Sequence, residues 1–172
     1  GLRVQLSRGR VLSQPGPWWW QLRARVGYAV ARRLMQWPAL VRQPRLWNWM
    51  EGQFARMANL GDVPAQSFYG HILLFRGQGL GARNEGCRLL QLAAQAGDGK
   101  AAYQMGLLSL QATPQQPADA ALAATWWVKA VDAGHPLAAH KLADLYRDGG
   151  PGLPADAARS REMQQRATEL GL

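Results

Sequence analysis

One spacing runs through this chain from about residue 45 to its end and restricts what it can fold into. Gly61, Gly97, Gly134 and Gly171 stand 36, 37 and 37 residues apart, each three residues after a small or short side chain at Ala58, Ala94, Val131 and Thr168. Four residues beyond the first three glycines come Ala65, Ala101 and Ala138. A second series, Gly70, Gly106 and Ala143, repeats at 36 and 37. Two independent series with one period in this range mark a helical solenoid.

Physical chemistry supplies the roles. A glycine just past a helix takes the left-handed conformation that caps it. A glycine inside a helix costs about 1 kcal/mol against alanine. Gly70 and Gly106 therefore need a compensating gain, and close approach of a neighbouring helix provides one. Each unit reads as helix A, loop, helix B. The spacing predicts A helices over 65–76, 100–111 and 137–148, and B helices over 83–96, 118–133 and 155–169. Breakers fill the A–B loops: Gly77, Gly79 and Gly81; Pro114 and Pro117; Gly149, Gly150, Pro151, Gly152 and Pro154. An incomplete earlier unit pairs a helix over 18–37 with one over 45–60.

At this point specific residues carry a resemblance. The run 124–134, with Trp126, Trp127, Lys129, Ala130 and Gly134, resembles the second-helix signature of the Sel-one-like repeat family. The run 138–149, with Ala138, Leu142, Ala143, Tyr146 and Gly149, resembles the first-helix signature, and Ala101, Tyr103, Met105 and Gly106 give a third match. Leu89–Leu90 and Met163–Gln164 replace the aromatic pair, Ser109 replaces the equivalent of Tyr146, and the loop 111–117 lacks a Gly-rich turn. The resemblance implies an all-α, right-handed α/α solenoid of antiparallel helix pairs, about three and a half repeats long. The expected divisions are an irregular tail (1–17), a basic Trp-rich cap or degenerate repeat (18–64) and repeats over 65–100, 101–137 and 138–172. It also implies a non-catalytic interaction module, with a bacterial envelope setting in the periplasm or at the inner membrane.

Composition agrees with helix and argues against chemistry. Ile occurs once, at Ile72, so strand-forming material is sparse. A single cysteine, Cys87, excludes an intrachain disulfide and a multi-cysteine metal site. Inside a predicted B helix it reads as a buried, inert thiol. His71, His135 and His140 lack the converging partners that zinc needs. The Gly77–Gly81 stretch follows a helix and lacks the Lys-Ser/Thr of a phosphate loop. Asp144 and Asp148, four apart on one helix, read as a solvated face rather than an acid/base pair. No cofactor, metal or catalytic residue is expected. The start at Gly1 leaves room for a preceding signal or anchor.

The resemblance also implies a recognition surface. Solenoids of this type line their concave face with A-helix side chains. Position by position, that face takes Ser67, Phe68 and His71, then Tyr103, Gln104 and Leu107, then His140, Lys141, Asp144 and Arg147. Phe68 and Leu107 read equally well as core. The mixture of aromatic, amide and charged groups suits a protein or peptide partner.

The front of the chain is different in kind. The formal charge is +9, and nine arginines with no acid precede Glu51. Six of the eight tryptophans, Trp18, Trp19, Trp20, Trp37, Trp47 and Trp49, are there too. Wound as a helix, 18–37 gathers Trp19, Leu22, Val26, Val30, Leu34 and Trp37 into one stripe, with Arg25 and Arg32 opposite and Arg23 and Arg33 at the edges. Three readings are open. The stripe covers the end of the solenoid as a cap; or the helix meets an anionic membrane surface through Arg23, Arg25, Arg32 and Arg33; or the arginines meet phosphates of nucleic acid while the tryptophans stack on bases. The last is weakest, since no nucleic-acid-binding motif accompanies it.

Overall fold

The computed structural model describes residues 17–172, so all of the expected tail but Pro17, which opens the first helix, lies outside the described residues, as do Arg3, Arg8 and Arg10. Nine α-helices occupy that span, and no strand forms among the described residues. Two units divide between Gln53 and Phe54, inside the third helix.

The unit 54–172 holds the repeats. Its A helices are α4 (Val63–Arg76), α6 (Gly99–Ser109) and α8 (Pro136–Asp148), and its B helices are α5 (Gly79–Gln95), α7 (Ala120–Asp132) and α9 (Ala157–Glu169). Each A helix packs on the B helix that follows it, and α5 and α7 pack in turn on the next A helix. This is the expected all-α solenoid.

The B-to-A turn is built the same way each time. Gly61, Gly97 and Gly134 have φ of +89°, +98° and +85°. The next residue donates its backbone N–H five residues back: Asp62 to Met57 (3.3 Å), Asp98 to Ala93 (3.0 Å), His135 to Ala130 (3.0 Å). That pattern satisfies the last carbonyls of the B helix. The same residue then caps the next helix with its side chain. Asp62 accepts from Ala65 N at 3.0 Å, Asp98 from Ala101 N at 2.9 Å, and His135 Nδ1 from Ala138 N at 3.1 Å.

The A-to-B turns differ more. Asp119 and Asp156 cap α7 and α9 with their side chains, while Gln78 makes no such bond. Helix α5 begins at Gly79, four residues before the expected start, so Gly79 and Gly81 belong to its first turn rather than to a loop. Gly79 has a φ of +82°, a left-handed conformation that glycine takes without strain. The loop at 111–117 lacks glycine yet closes as its successor does. Thr113 and Gln116 exchange backbone bonds of 2.8 and 3.2 Å, and Gly150 and Leu153 exchange two of 2.9 Å. Pro114 and Pro151 occupy the same place in the two turns.

The core of this unit is rich in alanine: Ala93, Ala94, Ala101, Ala102, Ala130, Ala138 and Ala139 are fully buried around Leu90, Trp127 and Leu142. Short side chains let helices approach closely, and a few large ones fill what remains. At the α4–α5 crossing, Cβ atoms added at Gly70 and Gly86 would press on Leu90 and on each other's backbone. At α6–α7 the space above Gly106 holds the indole of Trp127, whose Nε1 donates to Tyr103 O at 3.0 Å. At α8–α9, Ser160 Oγ donates to Ala143 O at 2.8 Å.

The unit 17–53 contains α1 (Pro17–Leu34), α2 (Pro38–Val41) and the first part of α3 (Pro44–Asn59). Helix α1 stops three residues short of Trp37. Its buried face differs from the expected one. Ala24 and Ala31 are buried, and a Cβ at Gly27 would strike the Gln53 side chain of α3. The large stripe is turned out: Trp19, Leu22, Val26, Val30 and Trp37 are exposed, and only Leu34 is half-buried. The small residues at 24, 27 and 31 thus mark the buried side of α1.

Candidate functional site

The A helices place the expected residues in three repeating rows. Ser67, Tyr103 and His140 share one register; Phe68, Gln104 and Lys141 the next; His71, Leu107 and Asp144 the third. The rows are filled differently in each repeat.

In the first repeat the positions are used internally. Ser67 is buried and its hydroxyl donates to Asp98 Oδ2 at 2.7 Å. Phe68 meets Phe54 edge to face, ring centres 5.1 Å apart. His71 Nδ1 lies 2.6 Å from Ser67 O, and its ring stacks beside Phe75 at 6.3 Å.

In the second repeat the equivalent pair is aromatic. Tyr103 stacks on His135 at 4.6 Å, with planes 16° apart, and is backed by Trp127 at 6.3 Å. Partial burial pushes the Tyr103 hydroxyl up from the ordinary tyrosine value. The His135 ring is pushed down, first by desolvation and then by Lys100. Both effects favour the uncharged forms, which suit a stack and a ring nitrogen accepting from a backbone N–H. Gln104 is half-buried, and Leu107 packs partly against the core.

In the third repeat the row is charged. His140 Nε2 lies 3.8 Å from Asp144 Oδ2, Asp144 Oδ1 lies 3.4 Å from Arg147, and Arg147 Nε donates to Asp148 Oδ1 at 3.0 Å. The Arg147 bond holds the Asp148 carboxyl below its usual range. Lys141 is half-buried beside them. His140, Asp144 and Arg147 pair along one helix face, spaced four and three apart, where side chains meet, and Arg147 also reaches its neighbour Asp148. Donors, acceptors and both signs of charge thus lie together on this stretch of α8. Among the described residues, no group of three His, Cys, Asp or Glu could hold a metal ion.

The first row also ties neighbouring A helices together. Ser67–Asp98 and Tyr103–His135 occupy equivalent positions, and each ties an A helix to the N-cap of the next. In the sequence His135 stands out only as one of three histidines without the converging partners zinc needs. A second concavity, about 730 Å³, lies among α5, α6, α7 and the loop 111–119, and includes Cys87, Met105, Leu122 and Trp126. Cys87 is half-buried at its wall rather than buried. The Trp126 Nε1 behind it has no hydrogen-bond partner among the described residues.

Stacked antiparallel helix pairs with capped, repeating turns define the class: a helical-repeat protein built as an α/α solenoid. More narrowly, the chain belongs to the Sel1 repeat family, whose model matches residues 63–98, 99–135 and 136–172. Among solved structures it is similar to a Sel1 repeat protein from Oxalobacter formigenes, with 29% identity and a TM-score of 0.58 over 69% of this chain and 88% of that one. It also shares its fold with c5321, a protective antigen present in uropathogenic Escherichia coli strains that displays the SLR fold. There the identity is 18% and the TM-score 0.69, over 90% of this chain and 33% of that one. Among curated protein sequences none matches the chain. Proteins of this family are generally protein–protein interaction modules and typically non-catalytic.

Proposed function

We propose that the chain is a non-catalytic scaffold that binds a protein or peptide on the concave A-helix face, in the assembly or regulation of a bacterial envelope system. The observation that carries this is the contrast between repeats. Ser67 is buried against Asp98, whereas Tyr103 at the equivalent position is half-buried and His140 is exposed, and Gln104, Lys141, Asp144 and Arg147 around them stay at least partly accessible. Tyr103 is already held by His135 and Trp127, so engaging it would lose little side-chain freedom. Binding energy concentrates on such rigid aromatic and arginine anchors. The envelope setting draws on the bacterial origin of both solved relatives, one of them a protective antigen.

The test is affinity capture from the native host with the wild-type chain and with Tyr103→Ala/Lys141→Glu. The double variant should lose the partner and keep its helical circular-dichroism signal. Normal capture by the double variant would reject the A-helix face.

A further inference from the structure

Helix α1 has a second apolar face that no described residue covers. At about 100° per residue, with Trp18 at 0°, the side chains Trp18, Leu22, Val26, Trp19 and Val30 fall at about 0°, 40°, 80°, 100° and 120°. They make one arc, exposed from 46% at Val30 to 61% at Trp18. The buried side, Gly27, Ala31 and Ala24, falls at about 180° to 240° and is a separate surface. Arginines edge the outer arc. Arg32 and Arg25 sit at about 320° and 340°, and Arg23 at about 140°. Arg33, at about 60°, enters the arc only in the last turn, where its long stem reaches past the helix end. Trp19, Trp20, Leu22, Arg23 and Val26 border a cavity of about 490 Å³ on this face.

A helix apolar on two sides is normally covered on both. Charge decides what fits the outer one. Among the described residues, six arginines and no carboxylate precede Glu51, so this stretch is strongly positive. The cover must be apolar in the middle and anionic around it. We propose that this face of α1 docks in the plane of an anionic phospholipid bilayer, with Trp18, Trp19, Leu22, Val26 and Val30 seated among the acyl chains. Arg23, Arg25, Arg32 and Arg33 then meet the headgroup phosphates. Tryptophan and arginine are the side chains that settle at this boundary. With four arginines in 18 residues, α1 lies on a membrane and does not cross it; no described helix is long and apolar enough to cross.

The test is co-sedimentation of the 172-residue chain with vesicles. Vesicles of phosphatidylcholine with about one-third phosphatidylglycerol should bind it at least about tenfold more tightly than pure phosphatidylcholine. Raising salt from about 0.1 M to about 0.5 M should weaken that binding. Leu22→Gln/Val26→Gln should reduce it by about tenfold or more, because it removes apolar contact. Arg25→Glu/Arg32→Glu should reduce it similarly. All four positions are exposed, so both variants should keep the wild-type circular dichroism. Brominated lipid should quench wild-type tryptophan emission and leave the Gln variant bright. Absence of binding to anionic vesicles at low salt would overturn the proposal, as would full binding by the Gln variant. A dimer by light scattering that the Gln variant disperses, with no vesicle binding, would assign the face to a second copy. Tighter binding of a short RNA, lost with the arginines but not with Leu22 and Val26, would assign it to nucleic acid.

Discussion

Replacing Gly106 with alanine tests how the repeats are held together. The added Cβ would overlap the Trp127 indole at Nε1 and its neighbouring carbons. Trp127 is nearly fully buried, so the ring has little room to retreat. Overpacking of this kind costs about 1–3 kcal/mol. Any shift of the ring also stretches the 3.0 Å bond from Trp127 Nε1 to Tyr103 O. A buried N–H left without its partner costs about 1–3 kcal/mol more. Against these stands about 1 kcal/mol of helix propensity gained by removing a mid-helix glycine. The balance is a loss of about 3 kcal/mol. With a urea dependence of about 1.5 kcal/mol per molar, the midpoint should fall by about 2 M. Gly81→Ala is the control within the same unit. Nothing lies within 4 Å of its Cβ position, and its φ is not in the left-handed region. It should raise stability by up to about 1 kcal/mol, which moves the midpoint up by at most about 0.7 M. The assay is urea unfolding followed by helical circular dichroism. An unchanged or higher midpoint for Gly106→Ala would refute the argument, because propensity alone would then account for the site.

Asp98→Ala removes the cap on α6 and the acceptor of Ser67 together, and should cost about 1–2 kcal/mol. Ser67→Ala should add less in that background than alone, which a double-mutant cycle in urea would measure. His135 gives a pH dependence. Its folded pKa is depressed, so its contribution is complete above the unfolded value near 6.5 and is lost as pH falls through the lower folded value. Thermal midpoints should drop between about pH 7 and pH 5 more steeply for wild type than for His135→Asn, which keeps a neutral cap. Equal slopes would remove His135 from the pH response.

The turns were the most legible part of the sequence because their chemistry is local. A positive φ calls for glycine, and Gly61, Gly97, Gly134 and Gly171 all show it. The Gly70, Gly106 and Ala143 series marked helix crossings for a similar reason. A third series at the same period, Gly86, Ala123 and Ser160, went unread. All three are buried in B helices, yet they are three residue types, and the serine looks polar until its bond to Ala143 O is seen. His135 was missed as a cap because histidine seldom takes that place. The outward turn of the α1 stripe was not legible either. Amphipathicity finds the largest apolar face, but burial there follows closeness of approach, and Ala24, Gly27 and Ala31 carry little hydrophobic signal. The A-helix rows were legible as positions. How each is used, by Ser67 inward or by Tyr103 against His135, depends on the neighbouring repeat and is not written in any one helix.

Each bridge between neighbouring A helices is carried by a single unit: Ser67 and Asp98 both fall in 63–98, and Tyr103 and His135 both fall in 99–135. Because the residue that ends a B helix also starts the next A helix, a duplicated unit would bring with it both its turn and the side chain that reaches across to it. Chains of this design can lengthen or shorten by whole units without rewriting the remainder.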